Sequence, residues 1–505
     1  MSGFSGIAEM MRQGDAAAPA IGAPDRSDMS RGQLSSLMAR VGADLRGIGI
    51  TRRDAVAIVM PNGPEMAAAF LAVAAACIAA PLNAAYRADE FDFYLGDLDA
   101  KALILPAGMD TPARQVAGTR NIPVIELAPD LAGPAGSFTL SIPAGGKVVD
   151  PAAADDVALV LHTSGTTSRP KIVPLTQRNL MTSAGNIART LALTPSDRSL
   201  VVMPLFHIHG LVGALLSSLH AGGSVYCPAG FNALKFFAQL DMAEATWYSA
   251  VPTMHQTVLA RAKGNADVIA RRKLRFIRSS SASLPPPVMK ELEATFGCPV
   301  IESYGMTEAA HQMASNPLPP AARKPGSVGI AAGPEVAIMD ESGRLLKSGE
   351  VGEIVIKGAN VTLGYANNPK ANAEAFRDGW FRTGDQGIMD AEGYVSLTGR
   401  LKEIINRGGE KISPREVDDV IMEHPAVAQI VTFAMPHDKL GEVVAAAVVL
   451  KEGATASERD LRDFAAKRLA DFKVPQKIVF LPEIPKGATG KLQRIGLAQK
   501  LGLAS

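Results

Sequence analysis

Leu161-His-Thr-Ser-Gly-Thr-Thr-Ser-Arg-Pro-Lys171 is the stretch on which the reading of this chain turns. It follows a short apolar run, 157–161, and is dense in Ser, Thr and Gly before a single lysine. A strand that opens into such a loop suits a polyphosphate. Hydroxyls and exposed backbone N–H groups can wrap the oxygens, and a cation offsets the charge. The Gly-x4-Gly-Lys-Ser/Thr spacing of a Walker loop is absent. Alone, a Ser/Thr/Gly stretch is more often an ordinary surface turn, so its surroundings must decide.

Toward the N-terminus, 54–60 is a short apolar run stopped by Pro61-Asn-Gly63. Residues 64–80 then read as a buried, Ala-rich helix ended by Pro81, and 101–105 and 122–126 read as strands. Such alternation predicts parallel sheets covered by helices. The Pro/Gly/Ala-rich stretch 127–156 reads as a surface connection. Beyond the loop, strands are expected at 200–203, 224–227 and 246–249. Glycine-punctuated short strands at 335–339, 352–357 and 393–397 predict a small β-rich subdomain. From about Arg400, strands 428–434 and 442–450 mix with helices 414–423 and 457–469. The expected architecture is α/β. A large N-terminal domain, 1–399, holds two α/β sheet subdomains and the small β-rich one; a small mobile α+β C-terminal domain, 400–505, follows.

A chain of 505 residues exceeds what one core sustains, which agrees with that division. A net charge of +1 gives no sign of a nucleic-acid or membrane-surface partner. Cys77, Cys227 and Cys298 are far apart and fit neither a zinc pattern nor a disulfide framework, so small buried thiols are expected. The first residues lack a basic segment followed by an apolar one, and 66–80 is shorter than the ~20 residues that span a bilayer. The last residues, GLAS, are no peroxisomal address. A cytoplasmic monomer or homodimer is the expectation.

Four further blocks carry chemistry. In Glu302-Ser-Tyr-Gly-Met-Thr-Glu308, a tyrosine face can stack on a purine, and a threonine and carboxylate could hold Mg²⁺ between phosphates. In Trp380-Phe-Arg-Thr-Gly-Asp385, a carboxylate could accept both ribose hydroxyls. Gly399-Arg-Leu-Lys-Glu-Ile-Ile-Asn-Arg-Gly-Gly-Glu-Lys411 and Pro485-Lys-Gly-Ala-Thr-Gly-Lys-Leu-Gln-Arg494 are glycine-rich and basic. Each alone has a bland alternative: a turn aspartate, or a solvated lysine-bearing tail.

In this order and at these intervals the five blocks resemble the adenylate-forming superfamily of acyl-CoA synthetases, firefly luciferase and nonribosomal peptide adenylation domains. The likeness runs from about residue 30 to 495. It implies ATP, Mg²⁺ and coenzyme A as reactants or cofactors, with a small carboxylate as the acid. By this resemblance Thr163, Ser164, Gly165, Thr166, Thr167 and Lys171 belong to a mobile phosphate loop. Ser280, Ser281 and Ala282 line the adenine and ribose edge, and Tyr304 stacks on adenine. Thr307 touches the α-phosphate, Glu308 holds Mg²⁺, and Asp385 and Arg400 bind the ribose. Lys402 matches the hinge between domains, Gly408, Gly409 and Glu410 match the pantetheine tunnel, and Lys491 matches the catalytic lysine. One departure stands out. Where the family loop continues Pro-Lys-Gly-Val, this chain has Pro170-Lys-Ile-Val173. An isoleucine resists the positive φ that glycine allows, so strained loop closure is expected.

The acid should lie among Pro204-Leu-Phe-His-Ile-His-Gly210, residues 279–283 and residues 305–312. A fatty-acid enzyme would put small apolar residues there. These segments offer imidazoles and hydroxyls, which point to a small polar or doubly charged acid. Thr163-Ser-Gly-Thr-Thr-Ser-Arg-Pro-Lys171, Arg278-Ser-Ser-Ser-Ala-Ser-Leu284, Met306-Thr-Glu-Ala-Ala-His311 and Ser315-Asn-Pro-Leu-Pro319 resemble the oxalate–CoA ligase branch of plants and fungi. That likeness puts His207, Ser280 and His311 on the distal carboxylate, with Ser280 and a protonated or Nε2–H His311 as donors, and leaves His209 structural. Two rivals remain at this level: an adenylation enzyme that loads a carrier protein, and a nucleotide-binding regulator that has lost turnover.

Overall fold

The computed structural model describes residues 4–145, 152–163, 170–486 and 492–504. Two large sheets and two small ones organise them. The first has seven strands among the described residues, in the order Phe138–Leu140, Val124–Pro129, Ala102–Pro106, Ala55–Val59, Ile78–Leu82, Val157–His162 and Ile172–Thr176. Its interior is parallel, and its two edge pairs are antiparallel. The second sheet is parallel from Pro19–Ala23 through Ser224–Tyr226, Arg198–Leu200, Trp247–Ala250 and Phe276–Ser279 to Val300–Met306. His311–Ser315 and Ile330–Ala331 extend it antiparallel on one side, and Arg26–Ser30 does so on the other.

Helix Pro64–Ala76 starts on a proline whose fixed φ suits the first turn. Every residue from Met66 to Ala75 is buried. A helix apolar all round must lie between layers rather than on a surface. One core accordingly joins Val56 and Ile58 of the first sheet to Val225, Trp247, Phe276 and Ile301 of the second, with Phe70 and Leu71 of this helix between. Full burial of each such large side chain stabilises by roughly 1.5–3 kcal/mol.

This region corrects two expectations and adds a strand pair that was not expected. The helix stops at Ala76, and Ile78–Leu82 is a strand that pairs with Ala55–Val59 in parallel. Alanines in a strand covered on both faces show no alternation, so they looked like more helix. Pro81 is tolerated because pairing on the other side is confined to Ala79 opposite Leu159. The stretch read as a surface connection contains the paired strand Phe138–Leu140, and Phe138 and Ala135 are buried. The antiparallel pair Pro19–Ala23 and Arg26–Ser30, N-terminal to the first expected element, also joins the second sheet.

Glu335–Met339, Val351–Lys357, Trp380–Met389 and Val395–Arg400 form an antiparallel sheet with a short fifth strand, Phe376–Arg377. The C-terminal sheet pairs Val427–His437 with Gly441–Leu450 and packs helices Pro414–Met422 and Glu458–Ala466 into a core of its own. The chain is thus α/β, with two α/β sheets, a β-rich unit and a small α+β unit. All three cysteines are buried and free, and burial pushes each thiol up to about 12. Among the described residues no helix is long and apolar enough to cross a membrane.

Candidate active site

Strands Val157–His162 and Ile172–Thr176 pair antiparallel, and the Ser/Thr/Gly stretch joins them. Its ends are clamped: Thr163 N–H donates to the Lys171 carbonyl at 2.9 Å, and Lys171 N–H donates to Thr163 Oγ1 at 3.2 Å. Ser164, Gly165, Thr166 and Thr167 lie outside the described residues. Ile172 corrects the strain argument. It sits in the strand, paired with His162, and does not have positive φ. Its side chain is buried with Val160, Ala80 and Leu82.

Lys171 lies over the Tyr365 ring, 4.4 Å from its centre, and the Tyr365 hydroxyl donates to Glu308 Oε1 at 2.9 Å. Burial raises the Glu308 pKa, while hydrogen bonds and the charges of Lys171 and Arg400 pull it back. Tyr365 was missed at the sequence level, where Gly364-Tyr365 sits in a stretch read only as β-rich. Thr307 and Glu308 share the single turn Thr307–Ala309. Among the described residues no three His, Cys, Asp or Glu cluster as a metal cage. One carboxylate beside a hydroxyl is the donor set that suits Mg²⁺, whose shell is completed by phosphates and waters.

Tyr304 ends up beside Asp385 and Arg400. Antiparallel register sets Arg400 opposite Asp385, and Arg400 Nε donates to Asp385 Oδ1 at 2.9 Å. The Tyr304 hydroxyl donates to Asp385 Oδ2 at 2.5 Å. Burial and the neighbouring carboxylate push the phenol well above its ordinary value, so it remains a donor.

The acyl side is a buried polar network. His209 begins a π-helical stretch, His209–Leu216, a rare geometry that often marks functional sites. Its ring meets Ser249 Oγ at 2.6 Å and Ser281 Oγ at 3.0 Å, and stacks on His311 with centroids 4.9 Å apart. Gly213 lets the helix come this close: a Cβ there would sit 2.5 Å from His311 Nε2. Arg278, wholly buried, donates to His311 Nε2 at 2.9 Å and to Gln312 Oε1 at 3.2 Å. Nothing but Arg278's place beside the serines could have signalled it.

Two expectations change here. Ser280 is fully buried, and its hydroxyl donates to the Ser303 carbonyl at 3.0 Å. Its proton is therefore committed to the backbone, whereas the Ser281 hydroxyl, at φ +72°, belongs to the imidazole network. A guanidinium can only donate. His311 Nε2 is therefore an acceptor, and the ring is neither the Nε2–H form nor imidazolium. His207 Nδ1 accepts the His209 N–H at 3.3 Å. Ala282 is exposed.

The remaining expected residues follow Arg400 in sequence. Lys402 lies in the exposed turn Leu401–Glu403, directly after Arg400. Gly408 and Gly409, at φ +58° and +97°, form the exposed tip between Ile405–Arg407 and Glu410–Ile412, and Glu410 is exposed. Lys491 lies outside the described residues. Arg494, nearby in sequence, is tied to Glu403 at 3.1 Å and Asp418 at 2.8 Å, which links this segment to the Lys402 turn.

The AMP-binding enzyme family matches residues 9–366, and the AMP-binding enzyme C-terminal domain matches 416–491. The chain belongs to the AMP-binding enzyme family. It is 47% identical over 490 residues to an oxalate–CoA ligase of Arabidopsis thaliana, covering 95% of each chain. It is 45% identical over 501 residues to an oxalate–CoA ligase of Saccharomyces cerevisiae, covering 94% of this chain and 91% of that one. Among solved structures of the family, ATP-bound MatB from Rhodopseudomonas palustris superposes with a TM-score of 0.88 at 31% identity, covering 98% of each chain.

Proposed function

We propose that this chain is an ATP-dependent, AMP-forming acyl-CoA synthetase whose acid is oxalate. A carboxylate is a poor electrophile because its leaving group would be oxide. Its oxygen attacks the α-phosphorus of ATP, pyrophosphate leaves, and the acyl carbon acquires AMP as leaving group. The thiolate of CoA then attacks that carbon and AMP departs. The protein must position reactants and offset charge rather than supply a nucleophile. In this reading Thr163 and Lys171 frame the phosphate loop, and Tyr304, Asp385 and Arg400 hold adenosine. Thr307 and Glu308 would hold Mg²⁺, which supplies charge neutralisation to the phosphates. Lys491 stabilises charge developing at the α-phosphate. Rotation of the small domain, 400–505, about Lys402 would exchange Lys491 for the Gly408–Gly409–Glu410 face, as hinge motions do.

The observation that carries the choice of acid is the composition of the acyl end: His209 bonds to buried Ser249 and half-buried Ser281 and stacks on buried His311. An alkyl chain set against these hydroxyls and imidazoles would cost their hydration and offer them no acceptor. Support also comes from the two oxalate–CoA ligase relatives, each aligned over nearly the whole chain. A cytoplasmic location belongs to the same proposal. The test is CoA-dependent AMP release with oxalate, malonate, acetate and a medium-chain fatty acid. Oxalate should give the highest kcat/KM, and preference for the fatty acid would defeat the choice of acid.

A further inference from the structure

Arg278 is the charged group that the reaction leaves unused. It lies in strand Phe276–Ser279 with no exposed surface. Among the described residues no carboxylate pairs with it. Its hydrogen-bond partners are His311 Nε2 at 2.9 Å, Gln312 Oε1 at 3.2 Å and Ser249 Oγ at 3.5 Å, and its Nε has none. A buried cation surrounded only by neutral groups is expensive, because the lost hydration is not replaced by a counter-charge. Burial lowers its pKa to about 9, so it stays a cation at neutral pH.

We propose that Arg278 is a specificity-determining, positioning residue: its fixed charge is the counter-charge for a second anionic group on the acid, and it holds His311 neutral with the proton on Nδ1. The proposal rests on the reading of the chain as a ligase for a small diacid. The geometry gives it direction. The His311 ring is held between Arg278 at Nε2 and the stacked His209 ring, with Gly213 against one edge and Gly305 across from Nδ1. Arg278 and His209 are set against His311 from neighbouring elements, and Glu308, on the preceding turn, is bonded to Tyr365. A diacid bound beside this network brings the anion that the guanidinium lacks, and a monoacid does not.

The experiment measures kcat/KM for oxalate and acetate, and KM for ATP, on wild type, Arg278→Gln and Arg278→Lys. Arg278→Gln keeps an N–H donor but no charge. It should lose about 30-fold or more with oxalate, the cost of truncating a buried charge pair. Acetate use and KM for ATP should change by less than about 3-fold, and Arg278→Lys should recover part of the oxalate activity. A pH profile separates a charge role from a packing role. With the cation gone, a neighbouring positive charge no longer opposes protonation of His311. Oxalate use by Arg278→Gln should then rise as pH falls from 8 to 6, while wild type stays flat. Equal losses with both acids, or a flat variant profile, would overturn the role of Arg278 and leave the ligase reading intact. A wild-type preference for acetate would overturn the diacid reading itself. Nitrogen-15 NMR of the unmodified protein needs no variant to fold: His311 should be the neutral Nδ1–H form from pH 6 to 8, and an Nε2–H or imidazolium signal overturns the proposal.

Discussion

At the scale of single residues, Asp385 joins two functions in one carboxylate. One oxygen takes the Tyr304 hydroxyl and the other takes Arg400. Asp385→Asn keeps the shape and removes the charge, and its amide can no longer accept from both sides. KM for ATP should rise by about 10-fold or more, as loss of a charge-assisted hydrogen bond implies, with KM for the acid little changed. Unchanged ATP affinity would remove Asp385 from the nucleotide site. The motifs drew attention to Asp385, Glu308 and Tyr304, and the structure sets Tyr304 against Asp385. Arg278 and Tyr365 were not legible. Their significance comes from what lies beside them in space, and a strand arginine or a loop tyrosine has no local pattern to announce it. Ser280 shows the converse: its neighbours in sequence suggested a substrate donor, and its hydroxyl is taken by a carbonyl.

At the scale of elements, the strand pair around the phosphate loop reverses the argument from Ile172. Glycine at this position would give freedom to a strand that needs none, and would empty a buried site beside Val160 and Leu82. Ile172→Gly should destabilise by on the order of 3 kcal/mol, from lost burial and added backbone entropy, with no gain in adenylation rate. Thermal unfolding and pyrophosphate release measure the two effects. A faster variant of unchanged stability would restore the strain argument. The sequence showed strand–helix alternation and the β-rich unit, because period and glycine punctuation report local geometry. It mislaid the boundary at Ala76, since burial on both faces erases the alternation by which a strand is recognised.

At the scale of the whole molecule, a second buried charge sets how stability follows pH. Glu302 is fully buried and one oxygen accepts the Leu284 N–H at 2.9 Å. Burial raises its pKa from 4.5 to about 7. An acid with a raised folded pKa favours the fold while protonated, fully so below pH 4.5, and loses that advantage as pH rises through about 7. Glu302→Gln mimics the protonated form and can keep the Leu284 bond. It should match wild type near pH 4.5 and be more stable at pH 8 by on the order of 1–3 kcal/mol. Equal melting temperatures at pH 8 would contradict this. The two half-reactions also test the large-scale scheme. Lys491→Ala should slow adenylate formation by roughly 10²-fold or more and spare thioester formation from supplied acyl-adenylate. Equal loss of both would refute a role confined to the first step. The three buried thiols have a practical consequence. Cys77 adjoins Ile78–Leu82 in the first sheet, and Cys227 and Cys298 adjoin strands of the second. Alkylation requires exposed thiolate, so a maleimide pulse should leave the native protein unmarked and tag each site only when its sheet opens. Mass spectrometry of pulsed samples would then make these cysteines three native clocks of unfolding, all of them in the large part of the chain.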